Sequence, residues 1–182
     1  MGGEVFSRID QLRNSRGRVV IAIDGQSGAG KTTLAGLLAD RYNARVFHAD
    51  DYYPRPGQRK QAGVNLDMER FTEEVISPLR ENRDAYVRRF DCKTGKLLPP
   101  RPAPYAPVSI VEGSYCLYPG FGPYYDLAIF LQAEPAAQRA RLQARYDAAR
   151  LQRAMEEWVP NENAYFRAYN IPEKCDFVLS MA

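Results

Sequence analysis

VVIAIDGQSGAGKTT, residues 19–33, changes character twice. Val19 to Asp24 is mostly branched and apolar without polar alternation, the composition of a strand buried on both faces, and it runs straight into glycines. Gly25-Gln26-Ser27-Gly28-Ala29-Gly30-Lys31-Thr32 then fits the spacing G-x-x-x-x-G-K-[ST], and Leu34, Leu37 and Leu38 beyond it recur as on one helix face. Strand, glycine-rich loop and helix in that order form the context in which such a loop cradles phosphate.

The residue types follow from that chemistry. A polyphosphate needs many donors converging on it, and glycines let the backbone curl so that successive N–H groups point inward at a helix N-terminus. Gly25, Ser27, Gly28, Ala29, Gly30, Lys31, Thr32 and Thr33 are therefore expected to hold a nucleotide. Lys31 supplies a mobile positive charge, and Thr32 offers a hydroxyl to a magnesium ion bridging phosphate oxygens.

The whole chain is compatible with such a site. Its 182 residues suffice for one domain with a sizeable core, and 45% apolar with 26% charged residues describe a soluble globular protein. No apolar run is long enough to span a bilayer. The net charge of +3, without a block of consecutive Lys or Arg, gives no reason to expect nucleic acid or anionic lipid as a partner. Cys92, Cys116 and Cys175 are odd in number and widely spaced, so neither a disulfide framework nor a zinc site is expected. The N-terminal MGGEVF has neither a basic nor an apolar leader segment, and a cytoplasmic location is expected.

Outward from the loop, Glu4–Asn14 carries Val5, Ile9 and Leu12 at helical spacing. After the loop helix, expected to reach about Tyr42, Arg45–Ala49 reads as a second strand ending in Asp50-Asp51-Tyr52-Tyr53. In open parallel α/β sheets ligands collect at the carboxyl ends of the strands, which puts Asp50 and Asp51 on the same edge as the loop, able to hold a metal or take a proton from a hydroxyl. His48, the only histidine, is expected to pack within its strand. Pro54–Gly63 reads as a surface loop, and Glu69–Asn82 as a helix with Phe71, Val75 and Leu79 on one face, capped by Asp67 and loosened by Pro78. Tyr86–Phe90 and Lys96–Leu98 suggest a small hairpin, followed by a proline-rich connector over Pro99–Pro107.

Val108–Gly113 is the next buried strand, and its Glu112 stands where a phosphoryl-transfer site needs an acid to orient the magnesium shell. Leu127–Leu131 is a further strand, and Glu134-Pro135 opens a long helix with Arg139, Arg141, Arg145, Arg150 and Arg153. A series of arginines near a nucleotide can clamp the transferring phosphoryl group. The segment from Trp158 to Asn163 is expected to break that helix, Ala164–Tyr169 to add a turn or two, and Asp176–Leu179 to form a final strand.

Taken together, the loop, His48-Ala49-Asp50-Asp51-Tyr52-Tyr53, Asn65-Leu66-Asp67, Phe90-Asp91, Ile110-Val111-Glu112-Gly113 and the arginine helix resemble the uridine kinase family of P-loop small-molecule kinases, itself similar to phosphoribulokinase, pantothenate kinase and nicotinamide riboside kinase. The likeness runs from about Val19 to Leu179. It implies an α/β P-loop fold: a five-stranded parallel sheet with helices on both faces, a substrate loop and hairpin over about residues 52–98, and an arginine-rich lid over about 135–160. It also implies ATP or GTP as phosphoryl donor and magnesium as cofactor. Asp50 becomes the general base and, with Thr32 and Glu112, a metal ligand. Lys31, Arg141 and Arg145 join Asp50 as catalytic groups, and Asp50, Tyr52, Asp67, Phe90 and Glu112 face the acceptor, Asp67 on the ribose hydroxyls. Where uridine-directed members carry Asn-Phe-Asp-x-Pro, this chain has Asn65-Leu66-Asp67-Met68-Glu69.

The expected activity is transfer of the terminal phosphoryl group to a primary hydroxyl of a nucleoside-like small molecule. A non-nucleoside alcohol, such as a vitamin or sugar derivative, is the alternative acceptor, and a nucleotide-binding switch without transfer the alternative class. No Asn-Lys-x-Asp guanine motif is present for a GTPase switch. The oligomeric state is left open.

Overall fold

The structure, a computed structural model, describes residues 2–54, 63–91 and 94–180. In chain order it contains helix α1 (Gly2–Arg16), strand β1 (Val19–Gly25), α2 (Lys31–Tyr42), β2 (Arg45–His48) and a 3-10 turn over Ala49–Tyr52. There follow α3 (Met68–Phe71), α4 (Ser77–Arg80), β3 (Ala85–Val87), β4 (Phe90–Asp91), β5 (Lys96–Leu97), β6 (Arg101–Ala103) and β7 (Val108–Glu112). The last part holds β8 (Leu127–Gln132), α5 (Pro135–Arg145), α6 (Ala148–Arg153), α7 (Val159–Tyr169) and β9 (Phe177–Ser180). Most of the loop expected over Pro54–Gly63, and Cys92 with Lys93 of the expected hairpin turn, lie outside the described residues.

Strand alternation decides how the layers stack. Five strands pair in the order β2-β7-β1-β8-β9, all parallel. Along β1, Val19, Ile21 and Ile23 face α1 and α2, sharing a core with Val5, Ile9, Leu34 and Leu38. Val20 and Ala22 face the other way, into a core with Phe71, Val75, Leu79, Tyr165 and Phe166. Every residue of β1 is buried, as expected of a central strand covered on both faces. This is the α/β architecture read from the sequence.

Local departures have identifiable causes. Leu37 is 54% exposed, and Ala35 takes its place on the buried face of α2. The expected hairpin is divided: β4 pairs with β5, whereas β3 pairs with β6 from the proline-rich stretch. The interruption falls at Arg88, whose N–H donates to Glu74 Oε2 at 2.8 Å and so leaves the ladder. The arginine helix stops at Tyr146, which is extended, because the side chain of Asp147 accepts from Arg150 N and starts α6.

Prolines inside helices are handled twice in one way. Wide π turns at Thr72–Ile76 and Ala154–Trp158 join α3 to α4 and α6 to α7, with Ser77 N–H reaching Thr72 O and Val159 N–H reaching Ala154 O. A proline follows at once in each, Pro78 and Pro160. Having no N–H to donate, it leaves a bond missing that the widened turn absorbs, so the helical run continues. The break expected at Trp158–Asn163 is therefore absent, and Ala164–Tyr169 belongs to α7. Among the described residues no helix is long and apolar enough to cross a membrane.

Candidate active site

Close approach at the strand ends assembles the site. At Gly25, φ is +143° and a Cβ would lie 2.1 Å from Leu131 O, so only glycine lets β1 leave the sheet against β8 here. At Gly113, φ is +134° and a Cβ would meet Ala49 Cβ at 2.7 Å, so glycine lets the ends of β7 and β2 converge. His48 and Glu112 are register partners there.

A cavity of about 340 Å³ opens at this edge. Ser27, Gly28, Gly30, Lys31, Thr32 and Thr33 form its loop wall. Asp50, Glu112 and Ser114 form the facing wall, and Arg141, Arg145, Tyr146 and Trp158 close it from the arginine-bearing helices. Gly25 and Ala29 shape the loop from behind: Gly25 packs on Leu131, and Ala29 is fully buried in the core.

The acceptor residues expected from the sequence divide. Asp50 and Glu112 face the cavity, with Tyr53, Asn65 and Leu66 beside them. Tyr52 does not: it is 1% exposed, and its hydroxyl donates to Glu74. Asp67 does not either. Its carboxylate is 2% exposed, caps Arg70 N at 3.3 Å and pairs with the Arg70 guanidinium at 3.5 Å. Phe90 is half-buried in β4 and is absent from the described lining.

The polar groups of the facing wall are linked. Thr32 Oγ1 donates to Glu112 Oε1 at 3.2 Å, and His48 Nδ1 lies 2.6 Å from the same oxygen. That contact, more than its partial burial, sets the His48 pKa, which is raised. The side chain is 43% exposed, so the histidine expected to pack within the strand instead makes a polar contact with Glu112 beside the site. Asp50 opens to the cavity with protein crowded around its other sides, and this desolvation raises its pKa against the pull of the Lys31, Arg145 and His48 charges. Lys31 Nζ donates to Gly25 O at 2.7 Å and Gln26 O at 3.0 Å.

Behind the loop stand two acids that sequence reasoning missed. Asp24 is fully buried and accepts from Gly25 N, Tyr115 N, Leu117 N and the Tyr165 hydroxyl, at 2.7, 3.2, 3.0 and 3.0 Å. Burial pushes its pKa up to about 6 despite these donors. Glu162 of α7 is 6% exposed and accepts from Ser27 N at 2.9 Å, Ser27 Oγ at 2.6 Å and Ser114 Oγ at 2.9 Å. Asp24 sits in an otherwise apolar strand, a signal that was available. Nothing local marked Glu162, which reaches the loop across 135 positions of sequence.

The arginines also divide. Arg141 and Arg145 line the cavity, and Arg141 Nη1 donates to Gly28 O at 3.2 Å. Arg150 stacks over Tyr146 with its guanidinium carbon 4.7 Å from the ring centre, and Arg153 pairs with Glu157 at 3.0 Å.

No protein-family model matches the chain. A stretch of 65 residues is 35% identical to dephospho-CoA kinase of Mycoplasma genitalium, covering 36% of this chain and 33% of that protein. The likeness thus spans about a third of the relative's length. The structure superposes on that of a possible uridine kinase from Bacillus stearothermophilus with a TM-score of 0.69 at 22% identity, over 97% of this chain and 100% of the other. The chain, with its five-stranded parallel sheet flanked by helices, has the α/β fold of the P-loop kinases.

Proposed function

We propose that this chain is a magnesium-dependent kinase that moves the terminal phosphoryl group of ATP or GTP onto a hydroxyl of a small molecule. The observation that carries the reading is the convergence, on one cavity, of Lys31 and Thr32 from the loop, Asp50 from the end of β2, Glu112 from the end of β7 and Arg145 from α5. Those are the parts phosphoryl transfer requires: a cradle for the donor, an acid to receive the acceptor's proton, and cations for charge that develops on the transferring group.

The donor set fits magnesium, a hard ion that takes one or two carboxylate or hydroxyl oxygens from protein and the rest from phosphate and water. Thr32 and Glu112 would hold it, with Asp50 on the same wall; Thr32 Oγ1 and Glu112 Oε1 already lie 3.2 Å apart. When bound, such an ion neutralises charge on the donor's phosphate oxygens. His48 orients Glu112 from behind through the 2.6 Å contact.

In this reading Lys31 exchanges the carbonyls of Gly25 and Gln26 for phosphate oxygens, and Arg141 and Arg145 neutralise the donor's outer end. Asp50 accepts the hydroxyl proton, and a carboxylate with a raised pKa is a stronger base than an ordinary one. Tyr146 and Trp158 keep water from the reacting atoms.

For the acceptor, a nucleoside-like alcohol is the reading the resemblance suggests, and a non-nucleoside alcohol is favoured by one observation. Asp67, the residue assigned to ribose hydroxyls, is buried against Arg70 away from the described cavity lining. A thermal-shift screen of nucleosides, vitamins and sugar alcohols beside a non-hydrolysable triphosphate tests both readings, since a true acceptor stabilises the folded chain by mass action. Stabilisation by some alcohol only when the triphosphate is present supports the kinase; no response to any triphosphate refutes it.

A further inference from the structure

We infer that Glu162 belongs to the donor site: its carboxylate holds the phosphate loop in place of an anion and gives up those contacts when a triphosphate enters. The inference rests on the donor-binding role proposed above for the loop. A curled loop at a helix N-terminus attracts negative charge, and here one of its amides already has some. Ser27 N–H and the Ser27 hydroxyl both donate to Glu162, and the Ser114 hydroxyl lies within 2.9 Å of the same carboxylate. Glu162 is 6% exposed, yet it forms part of the cavity wall alongside Ser27, Gly28 and Lys31.

The charges around the loop are thus satisfied internally. Lys31 rests on the Gly25 and Gln26 carbonyls, and Glu162 rests on the Ser27 amide and hydroxyl. A triphosphate seated beside Glu162 places like charges together in a confined, poorly solvated space, which costs free energy unless the carboxylate moves away. Glu162 therefore sets how tightly the donor binds. The helix does not depend on Glu162 alone for its anchorage. Near its middle, Tyr165 donates to Asp24 at 3.0 Å, and Gln26 Nε2 reaches Asn163 Oδ1 at 3.4 Å.

Glu162→Gln keeps the shape and one acceptor oxygen, and Glu162→Ala removes the group. Calorimetric titration of the full chain with sodium tripolyphosphate, which has no base or ribose, and with ATP should show both variants binding each compound about tenfold more tightly than wild type, equivalent to about 1.4 kcal/mol. Melting should separate the two roles. Without tripolyphosphate, Glu162→Ala melts below wild type; with saturating tripolyphosphate most of that gap closes. A simple brace would lower the melting temperature equally in both conditions. Unchanged or weaker binding in both variants overturns the inference while leaving the kinase reading standing. If wild type binds neither compound, and Lys31→Ala makes no difference, both readings fall.

Discussion

At the proposed donor end of the cleft the glycine-rich loop is held from behind by carboxylates; at the proposed acceptor end the turn carrying Asp50 and Asp51 is held by a guanidinium. Asp24 and Glu162 take backbone N–H groups of Gly25 and Ser27. Arg70, 4% exposed, donates to the carbonyls of Asp51 and Arg88, lies 4.2 Å over the Tyr52 ring, and pairs with Asp67 and Glu74. The sign of each brace follows from what its segment presents. A loop that offers N–H groups to an anion has N–H groups left over, and acids satisfy them. A turn that offers carboxylates has carbonyls behind it, and a buried cation satisfies those.

Removing the acceptor-side brace should cost most. Arg70→Met takes the guanidinium from Asp67 and from the carbonyls of Asp51 and Arg88, while Glu74 keeps Arg88 at 2.7 Å, and chemical denaturation should show a loss of about 3–5 kcal/mol. A loss below about 1 kcal/mol would mean that Asp67 and the two carbonyls are satisfied without Arg70 and that the comparison fails at this end.

The donor-side brace makes a pH-dependent prediction. The folded pKa of Asp24, about 6, stands above the ordinary 3.8, so the folded chain keeps this proton longer than the unfolded one. Its contribution to stability is fully present below pH 3.8 and is lost as pH rises through about 6. Asp24→Asn cannot titrate there and serves as reference. Relative to it, wild type should lose about 2 kcal/mol between pH 4 and 7 in paired denaturation curves. Parallel curves would show that Asp24 is ionised in the folded chain throughout.

A smaller effect sharpens the assignment at the acceptor end. Asp67→Asn weakens the pair with Arg70 while keeping an oxygen to cap α3, and should cost about 1 kcal/mol of stability. Its KM for the acceptor should stay within about twofold of wild type, because the side chain is buried away from the described cavity lining. A tenfold rise in KM would return Asp67 to the substrate.

The same comparison explains what could be read from sequence. The donor end is written in one contiguous stretch: branched residues for a buried strand, glycines for the curl, then Lys31 and Thr32. The placing of Asp50 and Glu112 at one edge followed from the rule for parallel sheets, whereas the order of the strands came only with the structure. The braces could not be read the same way, because each joins distant segments through a side chain with more than one plausible role. His48 reads as a packed strand residue until its register opposite Glu112 is known. Tyr52 and Asp67 carry a familiar pattern, but Arg70 and Glu74 draw them inward. Pro160 should end a helix, and only the wide turn before it shows why it does not.

The most direct test of the proposed kinase activity is a single-turnover measurement of phosphoryl transfer to an acceptor identified by thermal shift, made with wild type and Asp50→Asn. The account predicts transfer that needs the acceptor and falls at least about a hundredfold in Asp50→Asn, with nucleotide affinity little changed. Transfer near the wild-type rate in Asp50→Asn, or nucleotide breakdown indifferent to any acceptor, would contradict it.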